Sequence, residues 1–253
     1  MGAADVGGIT PNHIRRGLVE LSQTHNPGGV HVAYRVLRTF LRWLVAEGVL
    51  ESNPIQRVKP PKLSIEPIEP VSIEAVKAML GTCGKDFTDR RDRAALMALL
   101  DTGCRAGEFT ALTIGDVNLN TGTVMIRQGK GGKFRIVFLG ATSRRELLRY
   151  LRLRGNPGDN EPLWVTDEGR CLTFAGVRHI VRRRAEKAGV PVPGLHDFRR
   201  AFALACLRGG VDLISLQRLM GHADLSVLRR YLAQVEADLQ AAHTRGGPVD
   251  RLL

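Results

Sequence analysis

The chain has no run of the roughly 18 apolar residues that a membrane-spanning helix needs; the stretch from Ala94 to Leu100 stops at Asp101. Met1 to Gly8 carries neither a basic nor an apolar stretch, so no secretory signal is expected and the chain is predicted to stay in the cytosol with reduced thiols. Cysteine is scarce: Cys83, Cys104, Cys171 and Cys206 have no close pair, which argues against a zinc ribbon or a disulfide framework and predicts four small buried residues. No HExxH pattern is present, carboxylates do not cluster, and Gly129 to Lys133 lacks Walker spacing and a following Ser or Thr. A site without metal, nucleotide or other cofactor is therefore expected. Acidic residues are also in short supply, 25 against 37 basic ones, giving a net charge of +12. A field of that sign concentrates polyanions, and nucleic acid is the leading partner.

What is present is an ordinary globular composition, 43% hydrophobic and 25% charged, in 253 residues, long enough for one or two domains. Pro60, Pro61, Pro67 and Pro70 punctuate residues 59–71 and predict an extended linker between a helical domain, residues 1–58, and a larger domain, residues 72–253. The first 60 residues carry 7 basic and 4 acidic groups and the remainder 30 and 21, so either part can face DNA. In the small domain His31 to Glu47 spaces Val36, Leu37, Phe40, Leu41, Leu44 and Val45 as a core stripe. Arg35, Arg38 and Arg42 form a second face, a solvated surface or a phosphate-binding line.

The larger domain is predicted to be mainly α with a small antiparallel sheet. Helical periodicity covers Ser72 to Leu80, Arg91 to Asp101, Gly107 to Leu112, Ser143 to Leu153, Phe174 to Ala188, His196 to Arg208, Leu213 to Met220 and Ser226 to Ala233. Gly103 is placed to end one helix in the left-handed conformation. Thr123 to Arg127 and Phe134 to Leu139 read as strands flanking a lysine-bearing turn, with a further short strand near Leu163 to Thr166. On the helix from Phe174, residues Phe174, Val177, Ile180 and Val181 mark the core face, leaving Arg178, Arg182, Arg183, Arg184 and Lys187 for phosphate contact or solvent.

Phosphate-seeking groups stand at element boundaries: Arg105 beyond a helix end, Lys130 in a hairpin turn, and His196 with Arg199 opening a helix after Pro193-Gly194, where the helix N-terminus adds partial positive charge. Further on, Gly221-His222 closes a helix and Tyr231, one of three tyrosines, follows nine residues later. Taken singly, each is also an ordinary surface or core residue. In order, they resemble the tyrosine recombinase family, which includes phage integrases and Xer-type recombinases. Thr102-Gly103-Cys104-Arg105-Ala106-Gly107-Glu108 resembles its first arginine box, and Gly129-Lys130-Gly131-Gly132-Lys133 its lysine turn. Leu195 to Ala203 resembles the His-x-x-Arg box, and Met220 to Ser226 with Tyr231 the second histidine and nucleophile box.

The resemblance spans about residues 10 to 235. It implies a helical N-terminal core-binding domain joined to a tyrosine-recombinase catalytic domain, and a prokaryotic, cytoplasmic, nucleoid-associated enzyme. It implies that Tyr231 is the nucleophile of a 3′-phosphotyrosine intermediate, that Arg105 and Arg199 hold the scissile phosphate, and that His196 acts as base. Lys130 would be the general acid, His222 a phosphate ligand, and Glu108 a support for Arg105. Guanidinium forks suit this task because they offer paired donors as charge builds in the transition state. The partners implied are double-stranded DNA with inverted-repeat core sites and a homotetramer assembled on it, with Leu232 to His243 as a tail for a neighbouring protomer. Only Met1 to Gly8 precede the matching segment, so a small domain without its first helix, and no recognition of distant arm sites, are expected. Type IB topoisomerase-like relaxation and a non-catalytic DNA-binding regulator remain as alternatives; replacing Tyr231 by Phe separates an enzyme from a binder.

Overall fold

The computed structural model describes residues 6–62, 70–127, 134–155 and 157–221. The expected Lys130, His222 and Tyr231, most of the linker, the helix from Ser226 to Ala233 and the tail lie outside the described residues. The chain divides into two compact units, Met1–Glu66 and Pro67–Leu253.

In the first unit α1 (Pro11–Thr24) and α2 (Pro27–Ala46) begin alike. A polar side chain, Thr10 or Asn26, caps the first amides, and a proline follows at the first helical position, where it has no partner to lose. Ile14, Tyr34, Leu41, Leu44, Leu50, Ile55 and Val58 make the core, and the Tyr34 hydroxyl donates to the Val58 carbonyl at 3.0 Å. The stripe on α2 is rotated from the one expected. Val30, Tyr34, Leu37, Leu41 and Leu44 follow the helical repeat inward, whereas Val36 (63% exposed) and Phe40 (44%) face out. Within this unit, α1 and the 3-10 turn Pro54–Arg57 pack on one side of α2 only, and a single stripe suffices.

The second unit begins with α3 (Ile73–Gly81), α4 (Phe87–Thr102) and α5 (Ala106–Thr110). An antiparallel pair follows, β1 (Thr123–Ile126) and β2 (Arg135–Phe138), with Thr123 opposite Phe138 and Ile126 opposite Arg135. The unit continues with α6 (Ala141–Arg154), α7 (Phe174–Ala188), α8 (Leu195–Arg208) and α9 (Leu213–Met220). Among the described residues the fold is mostly helical with one two-stranded sheet, as the sequence predicts. The short strand expected near Leu163 to Thr166 is only a single bridge, Val165 to Cys171, closed by a tight turn through Gly169. α4 lies at the centre, against α3, α6 and α8. Beside it Phe109, Trp164 and Tyr150 stack, with ring centroids 4.8 Å and 5.8 Å apart. This stack anchors α5, whose five residues could not hold a helix unaided.

Two expectations on α7 are corrected. Phe174 is exposed, because it sits in the first turn beyond the edge of the core. Arg184 is buried instead, since it falls on the same face as Val177, Ile180 and Val181. Its guanidinium pairs with Asp89 and Asp92, and Asp92 also takes Arg91 and Arg183. A charge at this depth is tolerated because it is paired and hydrogen-bonded. The cysteines differ from expectation as well: Cys104 is buried, Cys83 and Cys206 are intermediate, and Cys171 is exposed.

Candidate active site

The site is built from chain ends that the fold brings together. α4 terminates at Gly103 with φ +57°, and a Cβ there would lie 2.3 Å from the Phe202 ring of α8, so both backbone and packing call for glycine. Two residues later Arg105 caps α5. Its backbone amide donates to Glu108 Oε2 at 2.8 Å, and its side chain to Glu108 Oε1 at 2.9 Å. Arg135, at the start of β2, completes the cluster with a fork on the same carboxylate, 2.7 Å to Oε1 and 2.6 Å to Oε2.

Arg199 comes from α8, one turn below the helix start capped at Gly194. It is 3% exposed and donates to the Gly103 carbonyl at 2.6 Å and the Met220 carbonyl at 2.5 Å. His196 stands one turn earlier on the same helix and stays open to solvent. The expected set is thus partly assembled: Arg105, Glu108, His196 and Arg199 come together from α5 and α8. The end of α9 closes the group, with Gly221 in the left-handed conformation (φ +61°) where a Cβ would meet Arg135 at 2.9 Å.

Charge is unbalanced here by design of the fold. Arg105 and Arg135 share one carboxylate, Glu108, and among the described residues Arg199 beside them has no ion-pair partner. Burial, with Arg105 and Arg135 nearby, lowers its pKa to about 10, still protonated near neutrality. Burial opposes ionisation of Glu108, but hydrogen bonds from Arg135 and Arg105 win, and its pKa falls to about 2. His196 titrates below its ordinary value, because the surrounding protein partly desolvates the ring and Arg199, Arg200 and Arg105 repel a proton. Such a site attracts an anion and offers it donors: each guanidinium has five N–H groups, and among the described residues Arg105 and Arg199 each place two of them on side-chain or carbonyl partners.

Arg135 escaped sequence reasoning. The available signal was its place on the inward face of β2, opposite Ile126, where a charged residue demands a partner. Of the expected DNA contacts, Arg35, Arg38 and Arg42 are exposed on α2 without ion pairs among the described residues. Arg178 is also exposed, and Arg182 is exposed with Glu186 3.7 Å away. No group of three potential metal ligands and no helix long and apolar enough to cross a membrane occurs among the described residues.

Residues 71–237 match the phage integrase family. A tyrosine recombinase XerC from Pelobacter propionicus is 33% identical over 86% of this chain and 72% of its own length. A XerD from Pseudomonas putida is 33% identical over 90% of this chain and 78% of its own. In structure, the chain resembles a XerA recombinase (TM-score 0.62, 25% identity, 96% of this chain and 84% of that one). It also resembles a XerH site-specific recombinase bound to a palindromic difH substrate (TM-score 0.73, 22% identity, 99% and 75%). The chain belongs to the phage integrase family. Its curated relatives are tyrosine recombinases of Xer type, and with them it is an enzyme of site-specific DNA strand breakage and rejoining.

Proposed function

We propose that the chain recombines double-stranded DNA at inverted-repeat core sites, as a homotetramer assembled on the DNA, through a covalent link to Tyr231. The Tyr231 oxygen bonds to phosphorus as the bond to the 5′ oxygen breaks, leaving a 3′-phosphotyrosine and a free 5′ end. The phenol proton passes to His196, and the departing 5′ oxygen takes a proton from Lys130. Arg105 and Arg199 hold the non-bridging oxygens, whose charge grows in the transition state, and His222 hydrogen-bonds the same phosphate. A 5′ hydroxyl from a partner strand reverses the steps, so the bond energy is kept and neither nucleotide, metal nor other cofactor is needed.

The observation that carries this reading is a cluster of three guanidiniums with a single carboxylate bonded to two of them, Arg105 and Arg135, and with Arg199 beside them held by backbone carbonyls. The lowered pKa of His196 supports its role, because a ring neutral at pH 7 can accept a proton. The small helical unit is assigned to core-site binding, through Arg35, Arg38 and Arg42, with Arg178 and Arg182 adding phosphate contacts from the catalytic unit. The setting is the cytoplasm of a prokaryotic cell, at the nucleoid. To test the reading, the protein is mixed with supercoiled DNA from its source, the reaction is stopped with detergent, and covalently attached DNA is sequenced beside a Tyr231→Phe control. Adducts at one inverted-repeat site that vanish in the control are expected; tight binding without adducts overturns the reading. Sizing of complexes on the recovered site tests the tetramer, which a persistent one-protomer complex would contradict.

A further inference from the structure

Three arginines from three elements grip three consecutive carbonyls. Arg135 Nε donates to Leu219 at 2.9 Å, Arg199 to Met220 at 2.5 Å and Arg105 to Gly221 at 3.1 Å. These carbonyls form the C-terminal end of α9, where helix geometry leaves oxygens without partners and where positive charge is favoured. The next residue in sequence is His222.

Of the three, Arg135 has every group engaged away from any ligand. Its side chain is 8% exposed, both terminal nitrogens fork onto Glu108, and Nε holds Leu219. Its Cδ also lies 2.9 Å from where a Cβ on Gly221 would be, so the strand and the helix end pack closely. We infer that Arg135 is a positioning residue of the recombination reaction: it orients Arg105 through Glu108 and sets the end of α9 from which His222 follows. One guanidinium thereby fixes both sides of the phosphate site from β2, the strand that follows Lys130 in sequence. A lysine here would keep the charge but could not hold a two-point fork and a third bond from one planar head group.

This inference rests on the recombinase reading, and its test separates the two. A nicked duplex carrying the site recovered from the adduct experiment traps the covalent complex in a single turnover. For Arg135→Lys the cleavage rate at saturating DNA is expected to fall at least tenfold, while the dissociation constant stays within about threefold. Ile136→Ser, on the outer face of the same strand, controls for damage to the strand and should match the unaltered protein. Glu108→Gln, nearly identical in shape, should show the same split, and the double variant should be no slower than the worse single one, because the two side chains act as one unit. Amide exchange without DNA should quicken in residues 213–221 of Arg135→Lys but not in α6.

A cleavage rate unchanged in Arg135→Lys, or binding lost in step with cleavage in both Arg135→Lys and Glu108→Gln, overturns the positioning role. If Arg135→Lys fails to fold, the Glu108→Gln split decides. Absence of any Tyr231-dependent adduct with the unaltered protein overturns the recombinase reading and this role with it.

Discussion

Arginines in the two units of this chain live in opposite circumstances. On α2, Arg35, Arg38 and Arg42 are exposed, with no ion pair among the described residues. In the catalytic unit Arg105, Arg135 and Arg199 are tied to named oxygens, and Arg199 is 3% exposed. The charge is the same but the uses differ. An exposed, mobile cation adds affinity by releasing counterions and tolerates small errors of placement. A cation that must meet charge developing on one phosphate gains only if it is already in position.

The sharpest way to break this comparison is at Arg199. Arg199→Ala should lower the single-turnover cleavage rate by about 100- to 1,000-fold, as for loss of one transition-state donor, with little change in binding; equal losses in both measurements would erase the distinction. Removing Arg35, Arg38 and Arg42 together should do the reverse. The slope of log affinity against log salt should become shallower by about 0.9 for each phosphate left unneutralised, while cleavage at saturating DNA is preserved. Gly103→Ala strains the joint between the two arginine boxes and should lower unfolding stability by about 2–4 kcal/mol, from positive-φ strain plus collision with Phe202. A denaturant melt reads this directly.

The smallest effect expected is on pH. Because His196 is held below its ordinary value near 6.5, its neutral form persists into mild acid. The acid limb of the cleavage profile should lie below that value, and Arg200→Gln, which removes one repelling charge, should move it upward. The carboxylate clasp sets a lower limit. With Glu108 at about 2 in the folded state against 4.5 ordinarily, its stabilisation is complete above 4.5 and is lost as pH falls toward 2.

Much of this was legible in the sequence, for local reasons. Gly103 marks the end of α4 by capping chemistry, and α7 and α9 match their periodic segments. The residues that resembled family boxes do gather: Arg105, Glu108, His196 and Arg199 meet from segments about 90 residues apart. What stayed hidden depends on partners remote in sequence. Arg184 reads as a solvent-facing cation until Asp89 and Asp92 are seen beside it. Arg135 reads as a strand residue until its oxygens, on Glu108 and on a helix end 84 positions away, are known. Backbone carbonyls leave no mark in the residue pattern, so an arginine that serves them is invisible to it. The rotation of α2 had a similar cause: Val36 and Phe40 fit a helical stripe, and only the placement of α1 decides which of two stripes is inside.

The carbonyl grip on Arg199 bears on hydration. A guanidinium in water is wrapped in solvent that must be stripped away before it can meet a phosphate closely. With Gly103 and Met220 already standing in for that shell, Arg199 is dehydrated when the chain folds, not when DNA arrives. On the proposed reading, a phosphate would therefore meet a cation that is 3% exposed and whose solvent was exchanged in part for protein oxygens in advance.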